Sequence, residues 1–347
     1  MEKTINSIRY GLGYRDQLRQ LKRCNFVRLK TRRVSGPRNF HLAENDVALI
    51  FLGRDIEYFL PIFLSHYRNL GIERFIYLDN GSRDSSCEIV ANEPGTIVAQ
   101  CDLNFRAYQR ELRYILTRDF LVGGWRLAVD SDELLDYPNS ERLSVPDLVG
   151  RIAARGHTGV VAQMLEMVPN GSLRAASNKD FATSVAEFYK YSVDNISKVS
   201  YHRGGSVIDY FVNLNTVASP EIKLMTGGLR RSVFGEECLL TKHVLFRDAG
   251  PVHPLPHPHV TCGLHCSDFT VVLKHYKFAG SYVERETRRR DEKRLSHKEG
   301  EIRLNMLESE GDIDFSKIPL RQDPTPEELI EQGFLFVSDE ALRMLLE

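Results

Sequence analysis

The sequence predicts an α/β fold: a mostly parallel sheet with helices packed on its faces. Three observations carry that expectation. From residue 46 onward, short apolar runs of strand length alternate with helix-spaced segments of about 10–16 residues, the pattern of repeated βαβ units. Gly, Asn and Asp punctuate the junctions between them. Two Asp-rich loops, 79–84 and 130–133, directly follow apolar runs, at the strand ends where open α/β sheets bind ligands.

In chain order, residues Val47 to Leu52 read as a buried strand bounded by Asp46 and Gly53. Asp55 is placed to cap a helix that buries Ile56, Phe59, Leu60, Phe63, Leu64, Tyr67 and Leu70, with Gly71 at its C′ position. Phe75 to Leu78 is a second strand. A turn-rich loop, Asp79-Asn-Gly-Ser-Arg-Asp84, then leads to a short helix through Ile89 and Val90. Thr96 to Gln100 is a third strand, and 106–121 an amphipathic helix stopped by Gly123-Gly124. Trp125 to Val129 is a fourth strand, running into Asp130-Ser-Asp-Glu133. A helix begins at Pro146, and a strand spans Gly159 to Met164. Beyond 165 the pattern loosens into a mixed α+β portion, with strands expected at Val207–Val212 and Val271–Phe278. Residues 281–309 are expected as one exposed charged helix, and Asp323-Pro-Thr-Pro-Glu as a turn into a short helix.

Composition narrows the class. The chain has 347 residues, 46 Lys+Arg against 47 Asp+Glu, and 42% hydrophobic residues. These are values of a globular chain of about two domains, not of a collagen, coiled-coil or disordered one. Balanced charge gives no reason to expect a nucleic-acid partner. Six cysteines are too few for a disulfide scaffold. No apolar run reaches the ~18–20 residues of a bilayer span, and the polar N-terminus lacks a signal-peptide core, so a cytoplasmic protein is expected.

The organisation expected is a basic N-terminal segment (1–42), an α/β half (43–165), a mixed second half (166–280) and a charged helical region (281–347). The first segment holds eleven Lys/Arg against Glu2 and Asp16. It reads either as a solvated lead-in or as a basic surface meeting anionic lipid on the inner face of a membrane.

Asp130-x-Asp132 is the strongest chemical signal. Carboxylates at i and i+2 beyond a buried strand reach the same side of the strand end. Paired Asp oxygens suit Mg²⁺ or Mn²⁺, which bridges a diphosphate and stabilises it as a leaving group. Asp79 at its own strand end is placed to accept a base N–H or ribose hydroxyl, or simply to build an Asx turn. His253, His257, His259, Cys262, His265 and Cys266 form a dense group whose spacing matches no zinc finger. One of these histidines, His259 first, is expected to join the Asp130/Asp132 metal, because two Asp and two phosphate oxygens leave an octahedral ion short of ligands. His265 and His275 are its rivals, and a mid-strand His275 suits packing.

Several runs together resemble family 2-type glycosyltransferases. They are Phe51-Leu-Gly-Arg-Asp-Ile-Glu57, Leu60-Pro-x-Phe-Leu-x-His66, Gly71-Ile-x-Arg-Phe, Leu78-Asp-Asn-Gly-Ser-Arg-Asp-Ser85 and Trp125-x4-Asp130-Ser-Asp-Glu-Leu134. The likeness is closest to the branch with DNGSxD and DxDEF motifs. It covers about 46–165 and continues faintly through Gly227 to Gly235, Lys242 to Arg247, His257-Pro-His259 and Leu273 to Phe278. Gly53-Arg-Asp departs from it, since the family more often shows Asn-Glu there. The resemblance implies a GT-A fold, a UDP- or GDP-sugar donor, Mn²⁺ or Mg²⁺, a glycan or glycolipid hydroxyl as acceptor, and inversion at the anomeric carbon. It implies Asp130 and Asp132 as the catalytic and metal-ligating pair, and Arg54, Glu57, Asp79, Asn80, Asp130, Arg230, Lys242 and Lys277 as donor-binding residues. Glu133 would support the loop, and Arg231 is a further phosphate candidate. The base could be Glu187, Asp194, Asp209, Glu236 or Glu237; the sequence chooses none. A nucleotidyltransferase, or a nucleotide-sugar-binding protein with a dead site, are the rival readings. Intact Asp79, Asp130 and Asp132 argue against the latter, and Gly53-Arg-Asp-Ile-Glu is a poor triphosphate loop.

Overall fold

The computed structural model describes residues 14–188, 190–248, 250, 252–292 and 298–347. Lys3, Arg9 and the remainder of 1–13, and part of the charged stretch near 295, lie outside the described residues. The centre of the molecule is a ten-stranded sheet. Its strands are β1 (Arg32–Ser35), β2 (Val47–Gly53), β3 (Arg74–Asp79), β4 (Thr96–Gln100), β5 (Trp125–Ala128), β6 (Glu133–Asp136), β7 (Gly159–Glu166), β8 (Thr216–Val217), β9 (Thr241–Arg247) and β10 (His265–His275). The spatial order is β1-β4-β3-β2-β5-β9-β7-β10-β8, with β6 pairing alongside β10. Strands β4, β3, β2 and β5 are mutually parallel, as are β7, β10 and β8. β1, β9 and β6 run antiparallel to their neighbours. The fold class is therefore the α/β one expected. The sheet does not stop at residue 165, because β9 inserts between β5 and β7 and carries the later half into the same layer.

The central strands are near-continuous apolar runs because helices cover both faces. On one face, α2 (Leu60–Asn69) and α5 (Val145–Ala154) bury Leu60, Phe63, Tyr67, Leu148 and Ile152. On the other, α4 (Phe105–Arg118) buries Leu112, Ile115 and Leu116 beneath α1 (Tyr14–Lys30). Gly71, at φ 85°, ends α2 as expected. Between β3 and β4 lies the short α3 (Ser86–Asn92).

Four local expectations need correction. Asp55 is not a helix cap: it has φ 52°, its carboxylate accepts from the Arg83 amide, and α2 starts five residues later beside Pro61. The helix expected at 106–121 ends at Arg118, and Leu121–Val122 pairs with Phe40–His41 instead. Val207–Val212 is a helix, fixed by the capping box of Ser206 and Asp209, not a strand. The exposed 281–309 helix is two packed helices, Tyr282–Asp291 and Lys298–Glu310, which bury Tyr282, Glu286 and Arg303.

The basic N-terminal segment is also no separate lead-in where it is described. In α1, Cys24 and Val27 are buried, Arg23 pairs with Glu111 at 2.7 Å, and Arg28 pairs with Asp119 at 2.6 Å. β1 then closes the sheet edge on β4. No helix among the described residues is long and apolar enough to cross a membrane.

Candidate functional site

Strands β2 and β3 end level, with Gly53 opposite Asp79, and their loops are laced together. The Asp55 amide donates to Ser82 Oγ (2.9 Å), the Ile56 amide to Ser86 Oγ (2.9 Å) and the Glu57 amide to Asp84 Oδ2 (3.1 Å). In return, the Ser85 amide donates to Glu57 Oε2 at 2.7 Å. Asp79 is fully buried. It accepts from Tyr77 Oη (3.0 Å), Gln100 Nε2 (2.7 Å) and the amides of Gly81 and Ser82. Gly81 turns the loop at φ 83°. Asn80 ties the loop to the carbonyls of Cys101 and Leu103. The structure thus uses Asp79, Asn80 and Glu57 to build the loop. Arg54 lies near Asp55 (3.4 Å) and Glu292 (3.7 Å).

The second loop leaves β5 and holds Asp130, Asp132 and Glu133. Asp130 keeps 56% of its side chain exposed, whereas Glu133 is buried. Because β9 runs against β5 and β7, its first residues lie beside the carboxyl ends of those neighbours. That puts Lys242 between Asp130 Oδ2 (3.1 Å) and the Glu133 carboxylate. Burial opposes the charge on Lys242, but Asp130 and Glu133 outweigh it and raise its pKa. Lys242 and then Arg113 of α4 hold the pKa of Asp130 below the ordinary value.

His275, the last residue of β10, sits in register between Glu166 at the end of β7 and Glu133 at the start of β6. Its Nδ1 lies 2.9 Å from Glu166 Oε1, and its Nε2 lies 3.4 Å from Asp132 Oδ2. Burial opposes an imidazolium there, but the two carboxylates raise its pKa to about 9. Glu166 is lowered to about 2 and Asp132 well below its usual range, in each case against burial and chiefly by His275. The chain of opposite charges runs on. Glu166 Oε1 lies 2.9 Å from Arg230, Arg230 lies 3.7 Å from Glu236, and Glu236 accepts from Arg303 at 2.6 Å. Arg303 reaches Tyr282 Oη at 2.6 Å, which ties this edge to the C-terminal helices.

Two further basic side chains belong to this edge. Lys277 follows β10; burial, then Arg303 and Arg230, lower its pKa, and Asp132 opposes them. Arg285 lies 5.1 Å from the Phe59 ring centre and 5.8 Å from that of Tyr58. It donates to the carbonyls of Ala279 and Lys277 and also feels Asp132.

Of the expected residues, Asp130, Asp132, Lys242 and Lys277 therefore meet at one edge, with Arg230 bound one step deeper. Arg231 goes elsewhere, to the carbonyl of Asn195, Ser197 and Glu237. The proposed bases are each committed: Glu187 to Lys179, Asp194 to Ser192, Asp209 to Arg203, Glu236 to two arginines and Glu237 to Arg231. Glu166, Arg113 and Arg285 were not singled out in the sequence. Glu166 carries the same signal as Asp130, an acid ending an apolar strand; the two arginines carry none.

Among the described residues no three His, Cys, Asp or Glu side chains converge to hold an ion. The His/Cys group does not close on one point: His257 and His259 stay adjacent, with ring centres 5.7 Å apart, and His253 stands in register with Cys262. His265 bonds Thr216 Oγ1 at 2.6 Å, and Cys262 and Cys266 are buried. His259 is held neutral first by burial and then by Lys242, His257 and Arg230, with its Nδ1 buried and unpartnered. Lys242, one of the charges acting on it, itself pairs with Asp130, whereas His275, the rival expected to pack, is the ring that lies 3.4 Å from Asp132. The open Asp130 carboxylate and the partly open Asp132 do fit a hard divalent ion, provided a ligand's own oxygens complete its shell.

No family model matches the chain, and no curated protein matches it.

Proposed function

We propose that the chain is a glycosyltransferase. It moves a sugar from a nucleoside-diphosphate donor, UDP- or GDP-linked, to a hydroxyl of a glycan or glycolipid. The observation that carries this reading is the Asp130/Asp132 pair, placed beyond the parallel strands and flanked by Lys242, Lys277 and Arg285. The motif resemblance over 46–165 supports it. Asp130 and Asp132 would hold Mn²⁺ or Mg²⁺, which neutralises charge building on the leaving diphosphate. Lys277 and Arg285 add positive charge at the same edge. Lys242 and His275 hold the two carboxylates in place, and the laced 53–57 and 79–86 loops wall the nucleoside side. In the transfer the anomeric C–O bond to the diphosphate breaks, the acceptor oxygen bonds to that carbon, and the acceptor's proton is released.

The test is transfer of labelled sugar by the purified chain, with UDP- and GDP-sugars and Mn²⁺, against Asp132→Asn. The variant should stay folded, because His275 keeps Glu166 as its counter-charge, and lose at least about 100-fold in turnover, since the metal supplies several kcal/mol of charge stabilisation. Full activity in Asp132→Asn would overturn the reading. A donor present at about 100 times its Kd should also stabilise the wild type by ~2.7 kcal/mol in a thermal shift.

A further inference from the structure

The outward face of α1 is apolar and basic at once. Val27 and Cys24 point inward and are buried, whereas Leu18, Leu21, Phe26 and Leu29 are exposed, Leu29 by 85%. At 100° per residue, Leu18, Lys22, Asn25 and Leu29 form one stripe opposite Val27. Arg19 and Lys30 flank it and are exposed as well. The next strand adds exposed Arg32, Arg33 and Val34. No acidic residue occurs between Asp16 and Glu44. The nearest acids of α4, Glu111 and Asp119, are consumed by Arg23 and Arg28 on the inward side.

We infer that this face of α1 docks on an anionic lipid surface, with Leu18 and Leu29 entering the headgroup boundary and Arg19, Lys22 and Lys30 meeting the lipid phosphates. Exposed leucines between cations match such a surface in both chemistry and charge. A second copy of the chain is a poor occupant, because two faces of the same positive sign repel. Moving the Leu18 and Leu29 side chains from water into an apolar layer is favourable, and the surrounding cations select an anionic one.

The test is flotation of the intact protein with vesicles of phosphatidylcholine alone and of phosphatidylcholine with phosphatidylglycerol. It needs no donor or acceptor, so its outcome is separate from that of the transfer assay. Binding is expected only to the anionic vesicles, and to weaken as salt shortens the Debye length from ~10 Å at 0.1 M to ~3 Å at 1 M. Leu18→Ser with Leu29→Ser should lower partitioning at least about tenfold. Lys22→Glu with Lys30→Glu should also lower it, and neither pair should change the melting temperature, since these side chains lie outside the core. Equal binding to both vesicle types, no binding, or indifference to both pairs overturns the inference. A concentration-dependent dimer by light scattering, abolished by the leucine pair without any vesicle binding, would assign the face to a second copy instead.

Discussion

Glu166 shows how a single side chain organises the candidate site. One carboxylate oxygen serves both His275 and Arg230, and the other is buried without a partner. Glu166→Gln would leave an imidazolium and a guanidinium in a dry interior without their shared anion. Breaking a buried pair from one side costs about 3–5 kcal/mol, and that loss is expected in urea unfolding of the variant. A loss under about 1 kcal/mol, the range of an exposed pair, would show that the chain of charges is solvated. The same scale explains what the sequence made legible. Asp130 and Asp132 stand out because an acid directly after a buried strand has few structural reasons to be there. Asp79 carries the same signal, yet its oxygens are used by its own loop, and nothing in the linear pattern separates a ligand-facing carboxylate from a turn-building one. His259 is a related case: its sequence neighbourhood shows other histidines, but not that Lys242 and Arg230 act on it or that His275 is the ring beside Asp132.

Among elements, α1 was the hardest to read. Its apolar residues are sparse, its exposed face holds more of them than its buried face, and the helical pattern is therefore loose. What attaches it is Val27 at full burial and two arginine pairs to α4. Val27→Ala should accordingly cost about 1.5–3 kcal/mol in chemical denaturation, roughly 0.8 kcal/mol for each of the two methyl groups lost plus the cavity left behind. No change would mean that the helix is only laid against the domain. Most helices and strands of 46–165 were legible because buried runs and 3.6-residue spacing coincide there with Gly and Pro stops; the start of α2, the end of α4 and the short β6, which the loop reading of 130–133 hid, were not. Val207–Val212 was not, because a short apolar run suits strand or helix equally. The capping box that decides it rests on two side chains reaching back to backbone amides. The split pair of helices after 281 escaped because charged residues such as Glu286 and Arg303 are buried by pairing with each other, which hydropathy does not register.

The whole molecule is closed by its C-terminus, which returns to the central sheet. Asp268 on β10 pairs with Arg155 at 3.0 Å and accepts from Ser338, the residue that caps the terminal helix Asp339–Leu346. Asn139 and Arg151 donate to the carbonyls of Leu345 and Met344 in that helix. Burial opposes the charge on Asp268, but Ser338 and Arg155 outweigh it and lower its pKa. A carboxyl lowered in the fold stabilises it above its unfolded pKa and loses that contribution as pH falls through the folded one. The stability difference between wild type and Asp268→Asn should therefore be full at neutral pH and shrink below about pH 4. Unfolding curves for both proteins from pH 7 down to pH 3 check this; a gap that stays constant would remove Asp268 from the acid response. That closure was invisible in the sequence, because its partners lie 70 to 206 residues apart.

The edge strand β1 has one more consequence. It covers β4, whose Thr-Ile-Val-Ala-Gln is uncharged, rich in β-branched residues and free of proline. Bare, such a segment is a template for adding strands from other chains without limit. β1 seals it while being a poor template itself, since it is four residues long, carries Arg32 and Arg33, and is kinked by an irregularity before Ser35. The N-terminal arm thus acts as a guard against self-assembly: without it, the chain would risk aggregating through the border of its own sheet while the rest of the fold was still intact.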